Sequence, residues 1–218
     1  MLNMDFNQAV AINTQQMAWQ TSPSIGVLRK PLERAAKESG HVTSIVQYQA
    51  KSHFAEHLHP LGEEILVLEG VFSDEQGDYP AGTYLRNPPG SKHRPFSQLG
   101  CTLFVKLNQF ALADTSEVRI NSNLEPWLSG FGGFAVLPLH QFEQQQVALV
   151  KCPAGKVIKT HHHFGGEELL VVSGELKDEH GRYPQHTWLR SPHLSEHHPF
   201  AEQDTVILVK RGHLRLDA

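Results

Sequence analysis

The feature that most constrains this chain is an internal repeat. Slid along itself by 104 residues, the sequence agrees without insertion or deletion from about residue 45 to 106. HLHPLGEEILVLEG at 57–70 falls on HHHFGGEELLVVSG at 161–174, DEQGDYP at 74–80 on DEHGRYP at 178–184, TYLRNP at 83–88 on TWLRSP at 187–192, and HRPF at 93–96 on HHPF at 197–200. Such self-similarity means two copies of one supersecondary plan, with equal loops and equal strand lengths. Upstream, Pro31-Leu32 matches Pro138-Leu139 at a shift of 107, which implies a three-residue loop difference near the start of each copy. The segment from about 108 to 129 reads as the junction, giving an N-terminal domain over 1–115 and a C-terminal domain over 116–218.

Within each copy the pattern is β. Ile45–Tyr48, Ile65–Leu68, Thr83–Leu85 and Thr102–Leu107 are short and rich in β-branched or aromatic residues, with Gly, Pro and Asp clusters between them. Many short strands at close spacing specify a sandwich or barrel. PLERAAKESG at 31–40 carries helix-boundary signals, Pro first and Gly last, but no apolar stripe; a β extension from Val27 and Leu28 fits it equally.

Composition enters through one count, 15 His among 218 residues. Neutral imidazole is the commonest protein metal ligand, so the His positions matter. His57 and His59 are two apart, which on a strand directs both rings to one face. Pro60, Leu61 and Gly62 turn the chain so that Glu63 can start the next strand and return a carboxylate to the same point. His93 follows 34 residues after His59, behind the tight NPPG stretch at 87–90. The second copy offers His161, His163, Glu167 and His197 at the same spacings. The bland alternative, a solvated strand face with ordinary surface carboxylates, conflicts with apolar flanks that would carry those polar groups indoors. His162 lies between two candidate ligands and so points the other way; His193 and His198 read as surface or supporting residues, and His41, His53, His140, His180, His186 and His213 have no partner at metal spacing.

The remaining composition narrows the function classes. A net charge of -4 without a Lys/Arg cluster gives no footprint for nucleic acid or anionic lipid. No apolar run approaches membrane-helix length, and the start MLNMDFNQAVAINTQQ has neither a basic nor an apolar leader region, so a cytoplasmic protein is expected. Cys101 and Cys152 stand apart and read as buried thiols.

These residues resemble the cupin superfamily, whose motifs are G-x5-HxH-x3,4-E-x6-G and G-x5-PxG-x2-H-x3-N. His57, His59, Glu63 and Gly70 fit the first, and Gly82, Pro88, Gly90 and His93 the second, while Lys51 and Ser97 occupy the opening Gly and final Asn positions. The second copy keeps the first motif well but the second only at Pro192 and His197, with Leu194 where the first copy has Gly90. More narrowly, RKPLER at 29–34, the stretch 59–96 and GCTLFVKL at 100–107 are similar to the cupin domain of ChrR-type anti-sigma factors.

That resemblance implies an all-β chain of two tandem cupin jelly-roll barrels, a bicupin, and a divalent metal bound through three His and one Glu, zinc in that family. Fe(II), Mn and Ni are alternatives, because the same four donors on an octahedral ion leave two positions open. It further implies a regulatory or sensor module of a transcriptional stress response, reading a small-molecule ligand or an oxidant. The family's sigma-binding zinc domain has no counterpart in residues 1–28, so a sigma-factor partner by that route is not expected. The alternative is a cupin dioxygenase acting on diketones or hydroxyketones. No catalytic base is assignable; Tyr84, Arg86 and Lys106, with Trp188, Arg190 and Lys210, are pocket candidates. Edge strands could pair two copies into a homodimer.

Overall fold

The structure, a computed structural model, describes residues 1–158 and 162–214. It is nearly all β and divides into two compact units, one of residues 1–4 and 17–125, the other of 5–16 and 126–218.

In the first unit the main sheet runs, in spatial order, Val118–Asn121, Thr83–Asn87, Glu63–Asp74, Cys101–Leu107, Val42–Tyr48, Val27–Arg34 and Gln20–Thr21, each antiparallel to its neighbour. The far half of Glu63–Asp74 leaves this sheet to pair Gly77–Pro80 and Phe96–Ser97, so one strand serves both layers of the roll. The change of layer occurs at a bulge opposite Thr102 and Leu103 and at Gly70, whose φ is 73°. A side chain there would stand 2.1 Å from the Gly100 carbonyl oxygen, which is why the repeat closes its first motif on Gly in both copies.

Alternation along the strands builds the core. Ile65, Val67, Leu85, Leu103 and Val105 turn inward together with Tyr48 and Phe72, all under 9% exposed. Each such aliphatic side chain contributes about 1.5–3 kcal/mol on burial. The second unit repeats the plan with the order Val10–Asn13, Thr187–Ser191, Glu167–Ser173, Thr205–Arg211, Gln145–Cys152, Ala135–Phe142 and Leu128–Ser129, and its own core of Cys152, Leu169, Val171, Leu176, Leu189 and Ile207.

Residues 31–40 form no helix. Val27–Arg34 is a strand with a bulge between Pro31 and Glu33, matched by the bulge between Pro138 and His140 in the second unit. The three-residue difference lies in the hairpin beyond: Arg34 pairs Val42, whereas Gln141 pairs Gln146.

The expected boundary at 115/116 differs from the compact units. Val10–Asn13 completes the second unit, pairing Thr187–Arg190, and Val118–Asn121 completes the first, pairing Thr83–Arg86. The sequences are VAIN and VRIN, 108 residues apart, and they sit in the same register on equivalent strands. Each copy's leading strand therefore closes the other copy's barrel.

Candidate metal centre

In the first unit His57–His59 is a short strand paired with Ser91–His93, and the register sets His93 directly opposite His57. Glu63 begins the next strand, after the turn at 60–62. Pairing and turn together bring His57, His59, Glu63 and His93 to one point, with one ligand atom of each within 4.8 Å of the others. The three rings form a triangle of centroid separations 4.7, 4.9 and 5.1 Å, each pair edge to face.

The donor set fits a cation. Glu63 Oε2 stands 3.4 Å from both His59 Nε2 and His93 Nε2, too far for a charge-assisted hydrogen bond, and both nitrogens are buried without a hydrogen-bond partner. Ligands about 2.0–2.1 Å from a tetrahedral zinc lie about 3.3–3.4 Å apart, so 3.4 Å is the edge such an ion sets. The outer ring nitrogens are held: His57 Nδ1 donates to the Ala55 carbonyl at 2.9 Å, and His93 Nδ1 contacts Asp74 Oδ2 at 3.3 Å. Asn87 donates to Glu63 Oε2 at 2.8 Å. Burial lowers the His59 pKa below its ordinary value and so favours the neutral, ligating form. At His93 burial acts the same way but is outweighed by the Asp74 hydrogen bond and the Glu63 and Asp74 charges, which raise its pKa.

In the second unit His163, Glu167 and His197 converge in the same manner, His163 Nε2 3.3 Å and His197 Nε2 3.4 Å from Glu167 Oε1. His163 Nδ1 meets Ser195 Oγ at 3.0 Å and His197 Nδ1 meets Asp178 Oδ2 at 3.1 Å. His161 lies outside the described residues.

Two supporting carboxylates, Asp74 and Asp178, escaped the sequence reading although DEQG and DEHG stood out as repeated. Asp74 is fixed by the Gln76 amide and the Tyr79 hydroxyl, and Asp178 by the His180 and Gly181 amides and the Tyr183 hydroxyl. Such hydrogen bonds orient a ligating imidazole and set its tautomer.

The pocket candidates are placed elsewhere. Side chains alternate along the strand, so Glu64 and Leu66 face away from Glu63, and their partners across the ladder, Arg86 and Tyr84, share that face. Tyr84 donates to Glu64 at 3.0 Å, and Arg86 pairs with Asp114 and Glu64 beneath the Phe110 ring. Lys106 donates to Thr43 at 3.0 Å. In the second unit Trp188 donates to Glu168 at 2.7 Å and Arg190 to the Asp5 carbonyl at 2.7 Å. Neither group lines the cavity beside its centre, nor does Lys210. His162 is exposed and pairs with Glu196, as its position between the ligands implies, and His198 is exposed against Glu179. His41 and His213, which sequence spacing left without partners, pair with Glu33 and Glu168.

Each centre borders a cavity. The first, about 130 Å³, touches His57 and Glu63; the second, about 610 Å³, touches Glu167 and His197.

The fold and these clusters define a two-lobed jelly-roll protein with His/Glu groups suited to a divalent metal. The chain belongs to the family of the ChrR cupin-like domain, whose model matches it twice, over residues 7–111 and 115–215. Among solved structures it is similar to a Nostoc punctiforme protein provisionally named a dioxygenase, at 16% identity and a TM-score of 0.80 over 97% of this chain and 85% of that one. The E. coli protein Ylba follows the same fold at 13% identity and a TM-score of 0.73, covering 100% and 96%. Oxalate decarboxylase from Lactobacillus farciminis does so at 13% identity and 0.67, covering 94% and 86%. No protein of curated function matches the chain significantly. Among the described residues no helix is long and apolar enough to cross a membrane.

Proposed function

We propose that the chain is a regulatory metal-binding bicupin, with zinc held by His57, His59, Glu63 and His93 in the first lobe and by His161, His163, Glu167 and His197 in the second. The observation that supports this reading is the closed donor set of the first lobe. Four groups converging within 4.8 Å, with two His–Glu edges of 3.4 Å, would satisfy a tetrahedral zinc without an open position, which suits a structural or sensing role. Bound there, zinc would tie three separate chain segments together and couple folding of the lobe to ion occupancy. The segments His57–His59, Glu63 and Ser91–His93 supply the grip, and Asp74 and Asn87 hold His93 and Glu63 in orientation. A small ligand or an oxidant that rearranges this shell is the signal, read in the cytoplasm.

A second reading, a dioxygenase cleaving diketones or hydroxyketones on Fe(II), draws on the larger cavity that reaches Glu167 and His197. Elemental analysis of protein purified without chelator or oxygen separates the two. Zinc in both lobes, with no oxygen uptake by Fe(II)-loaded protein given pentane-2,4-dione, supports the regulatory reading; iron with uptake replaces it by the enzyme.

A further inference from the structure

The two cavities occupy equivalent places, and the register relates their walls residue by residue. Tyr48, paired with Cys101 in the first lobe, corresponds to Cys152, paired with Thr205 in the second. Arg29, opposite Val46, corresponds to Val136, opposite Val150. Arg34 becomes Gln141, Phe54 becomes Ile158 and Phe72 becomes Leu176. At these five positions the second lobe loses a phenol, two guanidinium groups and two phenyl rings, while Phe134 and Arg211 stand where the first lobe has Val27 and Leu107; its cavity is about 610 Å³ against about 130 Å³.

What replaces them is apolar except at Gln141. Phe134, Val136, Val150, Ile158, Leu169 and Ile207 line the walls. The polar lining comprises Glu167 and His197 at the centre together with His140, Gln141, Gln146 and Arg211, the last donating to Gln146 at 3.4 Å. A cavity of this size lies within the range of about 300–1,000 Å³ typical of small-molecule sites, whereas the first lobe's falls below it.

We propose that the second lobe is a receptor for an apolar molecule with one anionic oxygen-donor head, an aliphatic or aromatic carboxylate, whose body fills this cavity while its head adds a fifth donor to the ion at Glu167 and His197. This rests on the metal reading of that site. The apolar stretches of wall offer no partner to a polar group, and burying one unpaired is costly, so a ligand's charged end belongs at a charged group, the ion beside Glu167 and His197 or the Arg211 guanidinium; loss of binding in His197→Ala distinguishes the ion. The first lobe, walled by Arg29 and Arg34 and filled by Tyr48, Phe54 and Phe72, keeps its ion enclosed.

The test uses the full zinc-loaded chain and straight-chain carboxylates from butanoate to decanoate in titration calorimetry. The expected result is one decanoate per chain, with affinity rising about fourfold for each added methylene and a negative heat-capacity change. Cys152→Tyr, which restores the first lobe's residue, and Val136→Phe should each weaken decanoate binding at least tenfold at unchanged zinc content; zinc content also reports that each variant has folded. Affinity flat with chain length, or binding that survives both filled variants, overturns the proposal. Chain-length dependence that persists unchanged in zinc-free His197→Ala overturns the assignment of the head to the ion. Zinc analysis of the unmodified chain fails separately: a second lobe without metal removes the reading on which the proposal rests.

Discussion

Both lobes carry the same candidate donors at the same spacing along the chain, equivalent aspartates orient His93 and His197, and the difference lies in the walls of the cavities beside them. In the first, His59 and His93 face Glu63 at 3.4 Å and aromatic and guanidinium groups press against a small cavity. In the second, His163 and His197 face Glu167 at 3.3 and 3.4 Å, yet the cavity above is several times larger and apolar. A duplicated chain can therefore keep one constraint, the ligand geometry, while the walls diverge. Ligand positions follow from short-range features, a strand pair and a tight turn, that few substitutions leave intact. Wall residues contribute volume, and volume tolerates exchange.

The comparison breaks most visibly at the ligands. His59→Ala should remove the first lobe's ion and leave the second's, and His163→Ala the reverse. Each apparent affinity should fall by several orders of magnitude, because structural zinc binding is worth about 10–16 kcal/mol and depends on the full ligand set. Metal stoichiometry of the two variants is the measurement, and loss of both ions from either one would show that the lobes are not independent.

The exchanged leading strands give the next effect. Deleting residues 5–16 removes Val10–Asn13 and leaves Thr187–Ser191 as an unpaired edge. The second lobe, not the first, should lose about 2–4 kcal/mol, the worth of four paired residues and the side chains they cover. Hydrogen exchange should report faster opening at 187–191 with protection at 83–87 unchanged. Equal loss in both lobes would refute the exchange.

Smaller again are the orienting carboxylates. Asp74→Asn and Asp178→Asn should weaken the metal of their own lobe by about 10–100-fold, read by competition with a chelator. A matched pair of effects would extend the likeness of the lobes beyond their ligands; a silent Asp178→Asn would confine it.

Leu194 tests the copies at one backbone position. Its φ is 62°, where the first lobe has Gly90 at 81°. A branched side chain is strained there, so Leu194→Gly should stabilise the second lobe by about 0.5 kcal/mol, after the glycine's greater freedom in the unfolded chain is subtracted. Gly90→Leu should destabilise the first by about 1–2 kcal/mol. Thermal unfolding checks both.

The two thiols should behave alike. Burial pushes Cys101 up to about 11 and Cys152 up to about 12. Thiolate forms as pH rises, so at pH 8 roughly one Cys101 in a thousand is nucleophilic, and Cys152 less. Iodoacetamide should modify neither until the chain is unfolded, and labelling of Cys152 alone under native conditions would show that the second lobe's core opens more readily than the first's.

Much of this molecule could be read from local pattern alone. The repeat, the short strands and the HxH, turn, Glu arrangement are written in adjacent residues, because side-chain direction along a strand has a fixed period of two. The same period explains one error. Tyr84, Arg86 and Trp188 are pocket candidates for a dioxygenase by sequence, but their register, Arg86 across from Glu64, Tyr84 from Leu66 and Trp188 from Leu170, carries them to the opposite face of the sheet. The VAIN and VRIN segments were present as a signal, yet their pairing was not recoverable from order along the chain, since copy order and spatial order differ.

What residue order determined by itself was the doubled barrel, from agreement at a shift of 104 residues, and the identity of the candidate donors, from the HxH, turn, Glu spacing and a His 34 residues on. Only the tertiary structure decided which strand closes which barrel, which carboxylates hold His93 and His197, and how much space remains over each centre. Those properties arise from segments far apart in the chain meeting edge to edge, and the volume left between them is a sum over all walls that no single stretch of sequence contains.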